Sequence, residues 1–268
     1  MTDRGVTAAQ LRAAAPNGDP AIIEAMARDS ARVFDKYGLI NLNRVWGFLS
    51  TIVEESGLKP VAENLNYSAE RLVEMNRIAW PGKFPTLAVA QQYAHNPQKL
   101  ANYVYGGREG NTKPDDGWFY RGRGGTQTTF YNGYLSVERV TGLPLTKNPD
   151  LVLAPEHFLE CAVAIFVGYP NIRRYCDAQN WEAVWKLVGS GRPNGRLVNP
   201  QNHYAALARV KAAIPALVEV PDAPAPATAP PPAPPVIAPA PKASPPPAPP
   251  VGWFAALLAR IFHRRAAA

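Results

Sequence analysis

Two glutamates, Glu55 and Glu63, are the side chains whose type and spacing in this sequence could do chemistry. They flank a point where a helix runs out into a loop. Asn43 can cap that helix by accepting from a backbone N–H, and Gly57 can end it in a left-handed conformation. Between them Val45, Leu49, Ile52 and Val53 recur at helical spacing and make one apolar stripe. Glu55 falls beside Phe48 and Ile52 at the edge of the stripe and is expected half-buried. Glu54 falls on the opposite side with Gly47 and Ser50 and is expected in solvent. Burial and the negative end of the helix dipole both raise the pKa of Glu55, as a general acid working near neutral pH requires. Glu63 lies in the loop Leu58–Tyr67, just before Asn64, Leu65 and Asn66, where a carboxylate is expected to stay ionised. Two carboxyl groups in contrasting settings suit the acid and base of sugar hydrolysis. A solvated helix end followed by a surface glutamate would show the same residues, so the surrounding elements must decide.

Those elements read as helices. Thr7 can cap a short helix, Ala8 to Ala15, stopped by Pro16. A second carries Ile22, Ile23, Met26, Val33, Phe34 and Tyr37 and ends at Gly38. Beyond the loop, Ser68 opens a helix to about Ala79, Thr86 starts another through Leu87, Ala90 and Tyr93, and Pro97 begins one with Leu100, Tyr103 and Val104 on one side. Thr129 to Tyr134 leads into a further helix. Pro155 opens an apolar one with Leu159, Ala162, Ile165 and Phe166, in which Cys161 is expected to be buried. Trp181, Val184, Trp185 and Val188 form a last amphipathic turn before a Gly189–Gly195 loop, and Asn202 to Ile214 closes the series.

From Gly106 to Gly125 the character changes to glycine-rich and aromatic. Trp118, Tyr120, Arg121 and Gln127 would suit a sugar surface, with ring faces to stack on and polar groups to bond hydroxyls. A glycine-rich hairpin with structural aromatics remains open beside that reading.

Composition sets the remaining bounds. The chain has 268 residues and a formal net charge of +7, which favours an anionic partner: a cell-wall polymer, a membrane surface or nucleic acid. No nucleic-acid motif accompanies the charge, so nucleic acid is not expected as a partner. About half of the 29 prolines lie between Pro221 and Pro250, a polyproline-type linker. The expected division is a folded domain over 1–216, a linker over 217–250 and a tail over 251–268. The two cysteines, Cys161 and Cys176, read as free thiols. His95, His203 and His263 have no metal-ligand spacing, and neither metal nor cofactor is expected. The N-terminus carries Asp3 and lacks an apolar run, so no Sec-type signal peptide is expected. A cytoplasmic protein later released to the cell wall fits that reading. In the tail, Trp253, Phe254, Leu257, Leu258, Ile261 and Phe262 would occupy one half of a helix that has Arg260, Arg264 and Arg265 towards its end. Such a segment is expected to lie in an anionic membrane interface, to dock on the folded domain or to stay disordered.

Four segments in order carry a resemblance: Glu55-Ser56-Gly57, Glu63-Asn64-Leu65-Asn66-Tyr67-Ser68-Ala69, Asp116-Gly117-Trp118-Phe119-Tyr120-Arg121-Gly122-Arg123-Gly124 and Gln127-Thr128-Thr129. Together they resemble glycoside hydrolase family 19, which includes chitinases and phage-type endolysins. The resemblance implies a mainly α-helical, two-lobed, lysozyme-like fold with a small turn-rich β segment. It also implies inverting hydrolysis of a β-1,4 bond beside an N-acetylated sugar, in chitin or peptidoglycan. Carried over by position, Glu55 matches the general acid and Glu63 the base. Thr129 matches the hydroxyl that helps hold the attacking water, and Gln127 a sugar-contacting amide. Trp118, Tyr120, Arg121 and Tyr134 fall within or beside the matched segments as further substrate-binding candidates. A loop between the glutamates lets them stand ~6.5–9.5 Å apart, with room for one water. Three positions depart from the family's pattern. Glu54 stands where a histidine is usual, Gly133 replaces an asparagine before Tyr134, and Gly189 replaces a substrate-facing asparagine. The combined expectation is an endolysin-like enzyme acting on peptidoglycan glycan strands. A chitinase and a cell-wall-binding protein without turnover are its alternatives.

Overall fold

Local capping chemistry starts most of the helices. The computed structural model describes residues 4–220, apart from Arg196 and Val198. Thr7 accepts from Gln10 N while the Gln10 side chain returns to the Thr7 N–H, and this capping box opens α1 (Ala8–Ala14). Asp19 caps α2 (Pro20–Lys36) through Ala21 N and Ile22 N. Asn41 caps α3 (Leu42–Ser56) through Arg44 N, and Gly57, left-handed at φ 61°, ends it. Ser68, Thr86 and Asn96 cap α4 (Ala69–Ile78), α5 (Leu87–Gln91) and α6 (Pro97–Tyr105) in the same way. The chain continues through α7 (Asp116–Phe119), α8 (Phe130–Thr141), a 3₁₀ turn at Pro149–Leu153, α9 (Pro155–Gly168), α10 (Ile172–Asp177), α11 (Trp181–Ser190) and α12 (Pro200–Ala213). Two short strands, β1 (Arg4–Gly5) and β2 (Val218–Glu219), pair antiparallel with Arg4 opposite Glu219. The described chain is therefore mainly α-helical with one small sheet. The expected linker beyond Val220 and the tail 251–268 lie outside the described residues.

Two apolar cores divide the described residues into two lobes. The larger is built on α1–α3 and α9–α12 around Phe34, Phe48, Phe158, Phe166 and Trp185. The smaller is built on α4–α6 around Leu72, Trp80, Phe84, Leu100 and Tyr105. Edge-to-face ring pairs fasten each one: Phe48 on Phe166 in the first, Trp80 on Phe84 and Tyr105 in the second. Cys161 and Cys176 are free thiols buried in the larger core, and burial pushes both up to about 12.

The central helix α3 corrects two expectations. It is capped by Asn41 rather than Asn43, because Leu42 already joins the helix while the Asn43 amide reaches Asp177 O at 3.5 Å. Its second face is buried as well: Gly47, Ser50, Thr51 and Glu54 all lie inside. The reason is tertiary, since α10, α11 and α12 pack over the face that a one-sided helix would leave wet. The residues there permit this. A Cβ on Gly47 would come 2.6 Å from the Cys176 sulfur, and the Ser50 and Thr51 hydroxyls donate back to Gly47 O at 3.2 and 2.7 Å. Helix α3 is enclosed on both faces, and the glutamates at its end share that enclosure.

Candidate active site

The segment after α6 builds a platform between the lobes. Asn111 ties its start down, donating to Tyr105 O at 3.1 Å and accepting from Tyr131 N at 2.9 Å. Asp116 accepts from Thr112 N and Lys113 N, both at 2.8 Å. The chain then pairs with the loop that follows α3. Glu63 N donates to Gly122 O at 2.8 Å, Gly124 N donates to Val61 O at 2.9 Å, and Arg123 and Thr128 exchange backbone bonds at 3.1 and 2.8 Å. Residues 61–63 are thereby fixed alongside 122–124 and 128.

Gly122 is the point of closest approach. A Cβ there would meet Gln127 Oε1 at 3.0 Å, Thr129 Oγ1 at 3.3 Å and Glu63 Cβ at 3.6 Å. Glycine therefore lets three of the expected site residues converge. Gln127 and Phe130 hold left-handed backbone at φ 52° and 64°, a strained turn that places Thr129 between them. The Thr129 hydroxyl donates to Gln127 O at 2.8 Å. The Gln127 amide donates to Gly124 O at 3.1 Å, while its Oε1 is enclosed and accepts no hydrogen bond among the described residues.

Glu63 is only 3 % exposed, which corrects the expectation of an ionised carboxylate in a polar loop. Leu65 and Tyr67 are drawn into the smaller core, and the glutamate goes in with them. Burial raises its pKa to about 7. The Tyr105 hydroxyl, donating to Oε1 at 2.6 Å, works against that, as do Gly122 N–H at 3.4 Å from Oε2 and the charges of Arg121 and Arg123.

Arginine and aromatic side chains wall this group. The Arg121 guanidinium stacks 3.8 Å from the Trp118 ring centroid and donates to Trp118 O at 3.0 Å. Arg123 pairs with Asp150 at 2.6 Å and donates to Phe119 O, Arg121 O and the Tyr134 hydroxyl. Tyr134 is fully buried and donates to Arg121 O at 2.8 Å, and Tyr120, also buried, donates to Thr146 O at 2.8 Å. These two tyrosines brace the wall from behind, while Trp118 is partly exposed on it.

Glu55 lies in the last turn of α3, half-buried as expected, with Oε2 enclosed and without a hydrogen bond among the described residues. Burial, and then the charge of Glu54, hold its pKa well above the usual carboxylate range. Glu54 itself is 8 % exposed, not solvated, because α3 is covered on that side. Tyr169 lies near enough for the Glu55 charge to add to burial in raising its phenol, and its hydroxyl donates to Val188 O at 3.2 Å. Glu54 and Glu55 line a cavity of about 520 Å³ whose wall also includes Val61, at the start of the strand-like stretch that carries Glu63, but not Glu63 itself. Gly133 and Gly189 are buried within α8 and α11. Among the described residues, no group of three or more His, Cys, Asp or Glu could hold a metal ion.

A glycosyl hydrolase family 19 domain-containing protein of Haemophilus influenzae (strain ATCC 51907 / DSM 11121 / KW20 / Rd) is 32% identical over 160 residues, covering 59% of this chain and 76% of that protein. No family model matches the chain. At that identity and coverage the relationship is direct, and the chain belongs to glycosyl hydrolase family 19.

Sequence reasoning missed three contributors: Tyr105, Asp150 in its pairing with Arg123, and Tyr169. Only Tyr105 left a usable signal. A buried tyrosine needs a partner for its hydroxyl, and it follows Ala101 at i+4 on the inner side of α6.

Proposed function

We propose that the protein is an inverting glycoside hydrolase that cuts β-1,4 bonds in the glycan strands of peptidoglycan, as an endolysin does. The observation that supports this most is the difference in setting between Glu55 and Glu63. Burial and the charge of Glu54 hold the Glu55 pKa well above the usual carboxylate range beside an open cavity, whereas Glu63, which burial lifts to about 7, is drawn back towards its charged form by Tyr105 and Gly122. In this reading Glu55 gives its proton to the glycosidic oxygen as the bond to the anomeric carbon breaks. Glu63 takes a proton from the water that attacks the opposite face, and Thr129 and Gln127 hold that water and the sugar. One displacement inverts the anomeric centre. The two carboxyl groups then exchange protons with solvent and return to their starting states.

Incubating the purified protein with peptidoglycan and with chitin, and following the anomer of the new reducing ends by NMR, tests the proposal. Inverted products from peptidoglycan are expected. Turnover of chitin alone would make the protein a chitinase. Gly133 and Gly189 lack the asparagine amides of the family's pattern and Glu54 puts a carboxyl in place of its histidine, which favours a wall-binding protein without turnover as the second reading. Saturable binding to peptidoglycan without any product would establish that reading.

A further inference from the structure

We infer that the cavity beside Glu55 is a subsite for a carboxylate carried by the glycan, held between Lys59 and Arg209. This rests on the hydrolase reading above and names the feature of the substrate that the site would select. The cavity opens between the end of α1, the last turn of α3, the loop after it and α12. Lys59 and Arg209 reach it from separate elements, and both are exposed. Neither makes an ion pair among the described residues. Glu54 and Glu55 belong to the wall, the first buried and the second half-buried, and the two exposed charged residues of the lining, Lys59 and Arg209, are both cationic. At about 520 Å³ the cavity exceeds the needs of one side chain and falls within the range of small-ligand pockets. A neutral polymer of N-acetylglucosamine offers two cations hydroxyl and amide oxygens but no countercharge. A glycan whose alternate sugars bear lactyl groups, free or extended by peptides, brings carboxylates to a cavity that holds Glu55 and these two cations together. Each solvated cation is worth up to about fivefold in binding, and the pair about tenfold.

The test uses the full chain as wild type, as the Lys59→Gln/Arg209→Gln double variant and as Arg209→Glu. Each is assayed on peptidoglycan and on the same material with its carboxyls converted to methylamides. The double variant is expected to lose about tenfold in kcat/KM on the native glycan and at most about twofold on the methylamide. Arg209→Glu is expected to lose more than the single charge removed, and 0.5 M salt should shrink these differences to about twofold. Equal losses on both substrates, or no loss on the native one, would overturn the subsite. Co-sedimentation with the two materials, read without turnover, separates this from the hydrolase reading. Charge-selective sedimentation by a wild type that releases no product keeps the subsite and removes the hydrolase. Hydrolysis with no charge selectivity does the reverse.

Discussion

The Tyr105 hydroxyl donates to Glu63 Oε1 at 2.6 Å across 42 residues of chain, from the smaller core into the junction of the lobes. A hydrogen bond to an ionised carboxylate is worth about 1.5–3 kcal/mol, and it opposes the burial that lifts this group.

Tyr105→Phe should therefore raise the pKa of Glu63 further, by about one pH unit. The acidic limb of the pH–rate profile should move up by that amount, giving about a tenfold lower rate at pH 6 and little difference at pH 9. A uniform loss at every pH would mean that the tyrosine only packs.

Glu55→Gln should remove turnover by a factor of about 10² or more while leaving the fold intact, since the amide fills the same volume. Glu54→Gln acts through its neighbour. Removing the Glu54 charge lowers the Glu55 pKa, so the alkaline limb should shift to lower pH while the acidic limb, set by Glu63, stays in place. Identical profiles for wild type and Glu54→Gln would show that Glu54 does not tune the acid.

Burial of Glu63 has a consequence for stability. Its folded pKa of about 7 stands above the ordinary carboxylate value of 4.5, so the folded state holds the proton more tightly. Stability is thus unaffected below pH 4, falls as pH rises through the window from 4.5 to 7, and stays lower above it. Glu63→Gln lifts that penalty, and its unfolding free energy should exceed that of wild type at pH 8 by about 3 kcal/mol. The margin should vanish at pH 4.

Gly47→Ala places a methyl 2.6 Å from the Cys176 sulfur and should destabilise by about 1–3 kcal/mol despite the better helix propensity of alanine. Adding Cys176→Ala should restore most of the loss, which urea melts of wild type and the two variants would measure.

Truncation should follow Val220, because β2 is part of the folded unit through its pairing with β1. On the sequence reading of residues 251–268 as a cationic amphipathic tail, the truncated protein should hydrolyse membrane-free peptidoglycan as the full chain does. It should bind anionic vesicles less, each arginine counting about 1 kcal/mol near such a surface. Equal vesicle binding by both proteins would remove the membrane role.

What could be read from the sequence follows the range of the interaction. Caps such as Thr7, Ser68 and Thr86 are decided within three residues and stand where they were expected. The half-burial of Glu55 also came from local spacing. Glu54 came out differently because its burial depends on α10 to α12, more than a hundred residues further on. The Glu63 environment depends on Tyr105 and Gly122, which no periodicity in the loop announces. Asn41 displaced Asn43 as a cap because Asp177, on α10, engages Asn41, Asn43 and Arg44 together.

Arg4 and Glu219 are partners in the short sheet, so the backbone between them forms a nearly closed ring. Neighbouring strands lie about 4.8 Å apart, a gap that two or three linking residues can span. Joining 219 to 4 and reopening the ring at Gly82, which is exposed and has nothing within 4 Å of its would-be Cβ, gives a circular permutant. Its new ends would lie at the smaller lobe, on the far side of the junction from α1 and α12. Fusion partners could then be carried there, leaving the opening lined by Lys59 and Arg209 unobstructed.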